Sequence, residues 1–315
     1  MSRGMKIFWI ALGCLLAAGI ALTSIGFALG GSGNVWFNQT GIHFGSRDAR
    51  TIELLEKDTE AFENIDIKLV SADVEIKSAE TYGYELSFFG TNEPEVGISN
   101  GTLKIVEAPN NWHFNIFGWG NNFLQEAKLT VYVPEGAVLD DVKLYTASGN
   151  TTLNLEESDE ISLVRLDCKS ASGDLALNGL NLKVLVVDVA SGSVNLNRVT
   201  AANASVDMAS GDFRYDDASV DDLKINAISG NVTFSGKIAK SLQLSMVSGD
   251  ARFDLDGAEG DYEFIVKKVS GNVTINGNSA SEGFVPSITD INEESDTIGR
   301  IDINLTSGRV DINFK

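Results

Sequence analysis

Four aspartates in this chain of 315 residues are the side chains whose type and spacing best suit chemistry. Asp212 and Asp216 form one pair, and Asp250 and Asp254 repeat the same spacing. Paired carboxylates can divide acid and base work across a glycosidic bond. With more oxygens converging, roughly six to eight, they can hold calcium. Asn and Asp side chains also bond turn backbone. Turn-bonding is the expected role here, because Asn231 and Ser235 occupy the equivalent positions between the two pairs.

The remaining reactive types are sparse. His43 and His113 have no partner visible in the sequence. Cys14 lies in an apolar run, and Cys168 stands at an apolar position of a repeat, which suits a small core residue. No nucleophile elbow, phosphate loop or Cys/His metal spacing occurs. The sequence therefore predicts no catalytic residue, no cofactor and no metal site.

A second concentration is aromatic. Residues 110–122 read N-N-W-H-F-N-I-F-G-W-G-N-N, which puts Trp112, Phe114, Phe117 and Trp119 in one asparagine-flanked loop. Such a loop suits a membrane interface, where Trp is favoured, or a partner-binding patch. Its plainer use is to fold back over the open end of a β-core.

What must position these residues is a repeat. Ser-Gly recurs with serine at 148, 172, 191, 210, 229, 248, 270 and 307. The commonest interval is 19 residues, too short for a helical pair and suited to one coil of a β-solenoid. Four residues before each serine stand Leu144, Cys168, Val187, Val206, Ile225, Leu244, Val266 and Ile303. Six before it and five after it are likewise apolar or aromatic in every copy, with polar residues between them. That period of two makes each coil two short strands meeting at a corner. A third side follows, with Leu163, Leu182, Ala201, Val220 and Ala239 as its inward residues. Glycine at the corner allows positive φ, and the Asn or Asp two places after most serines can bond its own turn. Ile65 to Ile76 fill the same frame with Ala72 in place of glycine, a divergent first coil.

The fold class expected is all-β: a parallel β-helix of about 19-residue coils, preceded by a single N-terminal transmembrane helix. Residues 1–31 read as a cytoplasmic stub and anchor. Arg3 and Lys6 precede an uncharged run from Ile7 to Leu29, 23 residues long and sufficient to span a bilayer. Residues 32–61 read as a juxtamembrane linker, within which 51–62 suit either a short strand or an amphipathic turn. Residues 62–141 hold the first coil and an N-terminal β cap, with strands at 85–89, 102–106 and 128–133 and the aromatic loop. Residues 142–315 form the Ser-Gly-Asx solenoid, interrupted by a polar loop at 277–299.

Composition bounds the partners. With 44 Asp and Glu against 24 Lys and Arg, the net charge is −20, which argues against nucleic acid. Acids on outward positions keep a long solenoid soluble. The expected partners are the membrane, through the N-terminal helix, and an envelope protein or a surface glycan.

Several segments together resemble a known family. They are Gly26-Phe27-Ala28-Leu29-Gly30-Gly31, Val70-Ser71-Ala72-Asp73-Val74-Glu75-Ile76, Val131-Tyr132-Val133-Pro134-Glu135-Gly136 and the serial Ser-Gly-Asp/Asn coils. The chain is similar, over about residues 5–315, to the β-strand-repeat family of bacterial membrane proteins that carries the label "putative adhesin" and includes the Lia-type envelope-stress accessory proteins. The resemblance implies a β-helical extracytoplasmic domain on a membrane anchor, and supplies no catalytic residues. The expectation is a non-enzymatic, single-pass surface protein that binds or senses at the cell envelope. The rival is a polysaccharide-acting β-helix using Asp212, Asp216, Asp250 or Asp254. End-to-end packing through the last coil is disfavoured in the sequence, because the faces are acidic and Lys315 closes the final strand.

Overall fold

Alternating apolar residues force strands wherever the repeat runs, and the serine corners stack them in register. The computed structural model describes residues 35–38, 41–44, 50–90, 94–107, 127–155, 161–280 and 299–315. Two compact units separate: one of residues 1–50, 90–92 and 109–125, the other of residues 51–89, 93–108 and 126–315. In the first, Val35–Asn38 and Gly41–Phe44 form an antiparallel hairpin with Trp36 opposite His43. The predicted anchor lies outside the described residues. Among those residues, no helix is long and apolar enough to cross a membrane.

The second unit is the parallel β-solenoid, and each coil is named here by its corner serine. Leu175–Ser191, Val194–Ser210, Phe213–Ser229 and Val232–Ser248 each run 17 residues along the ladder. Val206 lies in register with Ile225, and Ile225 with Leu244. Every residue of the repeat's three main apolar positions is buried, from Leu144 and Val142 through Tyr215 and Phe253 to Ile312. Phe213, Tyr215, Phe234 and Phe253 stack through the interior at centroid spacings of 6.1, 5.3 and 6.0 Å. Tyr215 satisfies its buried hydroxyl by donating to the Val199 carbonyl at 3.0 Å.

The corner glycines do more than turn the chain. Their φ values lie between 113° and 137°. A Cβ built on Gly230 would also lie 1.7 Å from the Gly211 carbonyl oxygen. Successive backbones therefore approach closer at this corner than any side chain allows.

One inward residue differs from expectation. Ala239 is exposed, and Ile238 is buried in its place, in register with Val220. The Ser229 coil drops one residue at its second corner and regains it after Ile238. Gly236 permits the tighter bend, since a Cβ there would lie 2.1 Å from the Ala218 carbonyl oxygen.

The ends also depart from a simple wind. Beyond the Ser71 coil lies a further parallel rung, made of Thr102–Val106 on Asn64–Lys68 and Lys128–Pro134 on Asp73–Ala79. Antiparallel strands close it: Glu95–Ser99 on Thr102–Val106, and Gly83–Gly90 on Lys128–Pro134. The undecided stretch 51–62 contributes the strand Arg50–Lys57 and the buried Phe62.

At the other end the coils are out of sequence order. After Leu255 the chain makes a short 3-10 turn at Glu259–Asp261 and forms Tyr262–Lys268 and Asn272–Ile275 one place too far out. Gly299–Leu305 and Arg309–Phe314 fill the vacancy, pairing with the Ser248 coil on one side and the Ser270 coil on the other. The rung carrying Lys315 is thus interior, and among the described residues the Ser270 coil is outermost. This corrects the expectation that Lys315 closes the end of the stack.

Candidate ligand-binding face

The position just before each corner serine faces outward, yet it is apolar in nearly every coil. From the capped end to the free end the column reads Val70, Ala147, Ala171, Ala190, Ala209, Ile228, Val247, Thr306 and Val269. Ile228 is 58 % exposed, Val247 49 % and Val269 85 %. On strands whose other outward residues are mostly polar, an exposed apolar column is the informative exception. Two residues further back runs a polar column that includes Asp188, Asp207, Asn226, Ser245 and Asn304. Asn226 donates from Nδ2 to Asp207 Oδ1 at 2.6 Å, which orients both. The two columns line an open groove of about 670 Å³ that crosses six stacked coils. Its spacing is that of the ladder, about 4.8 Å per rung.

Toward the capped end the same face becomes an ion network. Lys68 lies 2.9 Å from the Asp66 carboxylate, and Lys143 pairs with Asp141. Arg165 reaches Asp141 at 3.9 Å and Asp167 at 4.0 Å. Tyr145 donates its hydroxyl to Asp167 at 3.2 Å, while Lys68 and Lys169 flank its ring at 5.7 and 5.5 Å. The cations are mostly half-exposed, so the network orients this part of the face more than it stabilises the fold.

Three of the four aspartates singled out in the sequence come out in bonding roles. Asp212 Oδ1 accepts from the Asn231 backbone N–H at 3.1 Å and from Asn231 Nδ2 at 3.0 Å. Asp73, Asn150 and Asp174 likewise accept the backbone N–H of the next coil at 2.6, 3.0 and 2.8 Å. These side chains tie one coil to its neighbour, where sequence reasoning had each bonding its own turn. Asp216 pairs with Arg214, Asp254 pairs with Arg252 at 3.0 Å, and Asp250 stands in register with Arg309. Partial burial pushes the Asp254 carboxyl up. Hydrogen bonds from Arg252 and Asn313, with the charges of Arg252 and Lys315, outweigh that and hold it below its usual range. A group so held is a poor proton donor at neutral pH. Among the described residues no cluster of His, Cys, Asp and Glu could hold a metal ion. Cys168 is a core residue, its thiol pushed well up by burial and further by Asp167.

Trp112, Phe114, Phe117, Trp119 and His113 lie outside the described residues. The described residues flanking them are fixed: the Glu107 N–H donates to the Lys68 carbonyl and the Asp73 N–H to the Ala127 carbonyl, both at 2.8 Å. The Glu107 carboxylate accepts the Val70 N–H at 2.7 Å.

The groove itself was missed from sequence. Its signal was present in the run of Ala, Ile and Val before the serines, but position beside a turn disguised an outward apolar column as turn flank.

The sequence matches the Toastrack DUF4097 family over residues 62–314. No curated protein matches it. Among solved structures, a putative adhesin from Bacteroides fragilis is 14% identical with a TM-score of 0.46, over 86% of this chain and 98% of that one. A putative adhesin from Parabacteroides distasonis is 11% identical with a TM-score of 0.43, over 84% and 98%. A putative cell adhesion protein from Clostridium sporogenes is 13% identical with a TM-score of 0.28, over 85% and 100%.

Proposed function

The chain belongs to the Toastrack DUF4097 family, and we propose that it is a non-enzymatic, membrane-anchored binding protein whose solenoid is held outside the cytoplasmic membrane. The observation that carries this reading is the exposed apolar column through Ala209, Ile228 and Val247 on a continuous parallel ladder. Such a ladder holds its outward side chains at fixed spacing, so a partner meets a preformed surface and little ordering is left to do on contact. The anchor rests on the uncharged run Ile7–Leu29 behind Arg3 and Lys6. Trp112, Phe114, Phe117 and Trp119 supply a second contact, to an envelope partner or to the membrane surface.

The test is protease added to intact cells. Digestion of the solenoid while a cytoplasmic marker survives is the expected result, and full protection would reverse the orientation and end the proposal. Binding is tested by co-sedimentation with envelopes isolated from the same cells. Ile228→Glu with Val247→Glu should lower the bound fraction about tenfold, since each places a charge in the apolar column. An unchanged fraction would remove the groove from the function.

A further inference from the structure

The strand Tyr262–Lys268 ends the stack, and it is hydrogen-bonded to Gly299–Leu305 and to no other strand among the described residues. At the opposite end, antiparallel strands close the last rung. Here, among the described residues, the neighbouring strand Asn272–Ile275 carries on its outer side the two-residue strand Asn278–Ser279. An unpaired edge of this length invites addition of another strand. Val269, the residue after it, is 85 % exposed, and no described residue covers this corner.

The side chains say which strand fits. Tyr262, Phe264 and Val266 point inward and are buried. The outward residues are Glu263, Ile265 and Lys267. An antiparallel copy of the same strand, paired about a two-fold axis at Ile265, sets Glu263 opposite Lys267 of the second copy and Lys267 opposite Glu263 of the second copy. Ile265 meets Ile265 of the second copy between them. Phe264 faces Val266 of the second copy on the inner side, so the apolar interior continues across the axis. Opposite charges directly across an antiparallel pair are favourable, and like charges are not.

We propose that the Tyr262–Lys268 edge is a homodimer interface, through which two copies of this chain join end to end, their two parallel ladders meeting at one antiparallel strand pair. The contact is isologous, with each copy offering the same edge.

The test uses the full chain in detergent solution, with Cys14→Ser to remove one thiol and Ile265→Cys to place another on the axis. Mild oxidation should give a disulfide-linked dimer on a non-reducing gel. Lys267→Glu in that background sets Glu against Glu, and Glu263→Lys sets Lys against Lys. Each alone should lower the dimer yield about tenfold. Mixing the two variants restores opposite charges at both contacts, and cross-linked heterodimer should return. Thermal midpoints measured alongside establish that each variant is folded. No dimer from Ile265→Cys, a yield indifferent to the charge changes, or no recovery on mixing would each overturn the proposal.

Discussion

Leu244 lies in register with Ile303, which is 59 residues further along the chain, and Ile303 in turn lies in register with Val266. The residue that follows Leu244 in the repeat is therefore two rungs away from it. All three are branched aliphatics in the same frame, so the C-terminal coil fits between the other two without changing the core. The corner column follows the same order, with Gly308 closing on Gly249 and Gly271 on Gly308.

That order is open to a direct chemical check. Ser245→Cys with Asn304→Cys joins neighbouring outward positions in register, about 4.8 Å apart and within disulfide reach. Ser245→Cys with Lys267→Cys spans two rungs, about 9.6 Å, beyond the roughly 7 Å limit. Oxidation should link the first pair and leave the second free, as read by mass spectrometry. The reverse result would place the Ser270 coil directly on the Ser248 coil.

The interior predicts an asymmetry between adjacent residues. Leu244 is fully buried and Gln243 is exposed. Leu244→Asp should cost several kcal/mol, while Gln243→Asp should stay within about 0.5 kcal/mol. Urea denaturation of both variants reads the difference, and similar losses would refute the inside–outside assignment.

Gly230→Ala should destabilise by roughly 3 kcal/mol or more, because the new methyl meets backbone at 1.7 Å and φ is 123°. Gly97→Ala is the control, since no atom lies within 4 Å of its added Cβ. It should change stability by about 0.5 kcal/mol or less, with both variants measured by urea denaturation.

Asp254 predicts a pH dependence. Its carboxyl is held below the ordinary value of 3.8, so the unfolded chain takes up its proton first as pH falls. The stabilisation is complete above the unfolded value and is lost as pH drops through the folded one. The stability difference between the native chain and Asp254→Asn should therefore be largest near neutral pH and shrink on acidification. Denaturation series between about pH 6 and pH 2.5 follow it; a gap that widened with acid would contradict the ion pair.

The coil, its corner and its inward residues were legible because period two and the Ser-Gly frame are local signals. Val187 and Val206 announce a shared wall in the sequence itself. The order of the last two coils was not legible, because a frame that makes every coil alike also makes any coil an acceptable neighbour for any other. The exposure of Ala239 was hidden for a different reason: only the close approach at Gly236 reveals that one residue has slipped. The coil-to-coil bonds of Asp212 and Asp174 depend on a partner 19 residues away, which turn chemistry alone does not name.

The interleaved C-terminal segment changes what damage to the chain's end would mean. In a wind that followed the sequence, clipping the final residues would merely shorten the stack from its outside. Here the loss of residues 299–315 would extract a layer from within, stranding a folded coil beyond the breach.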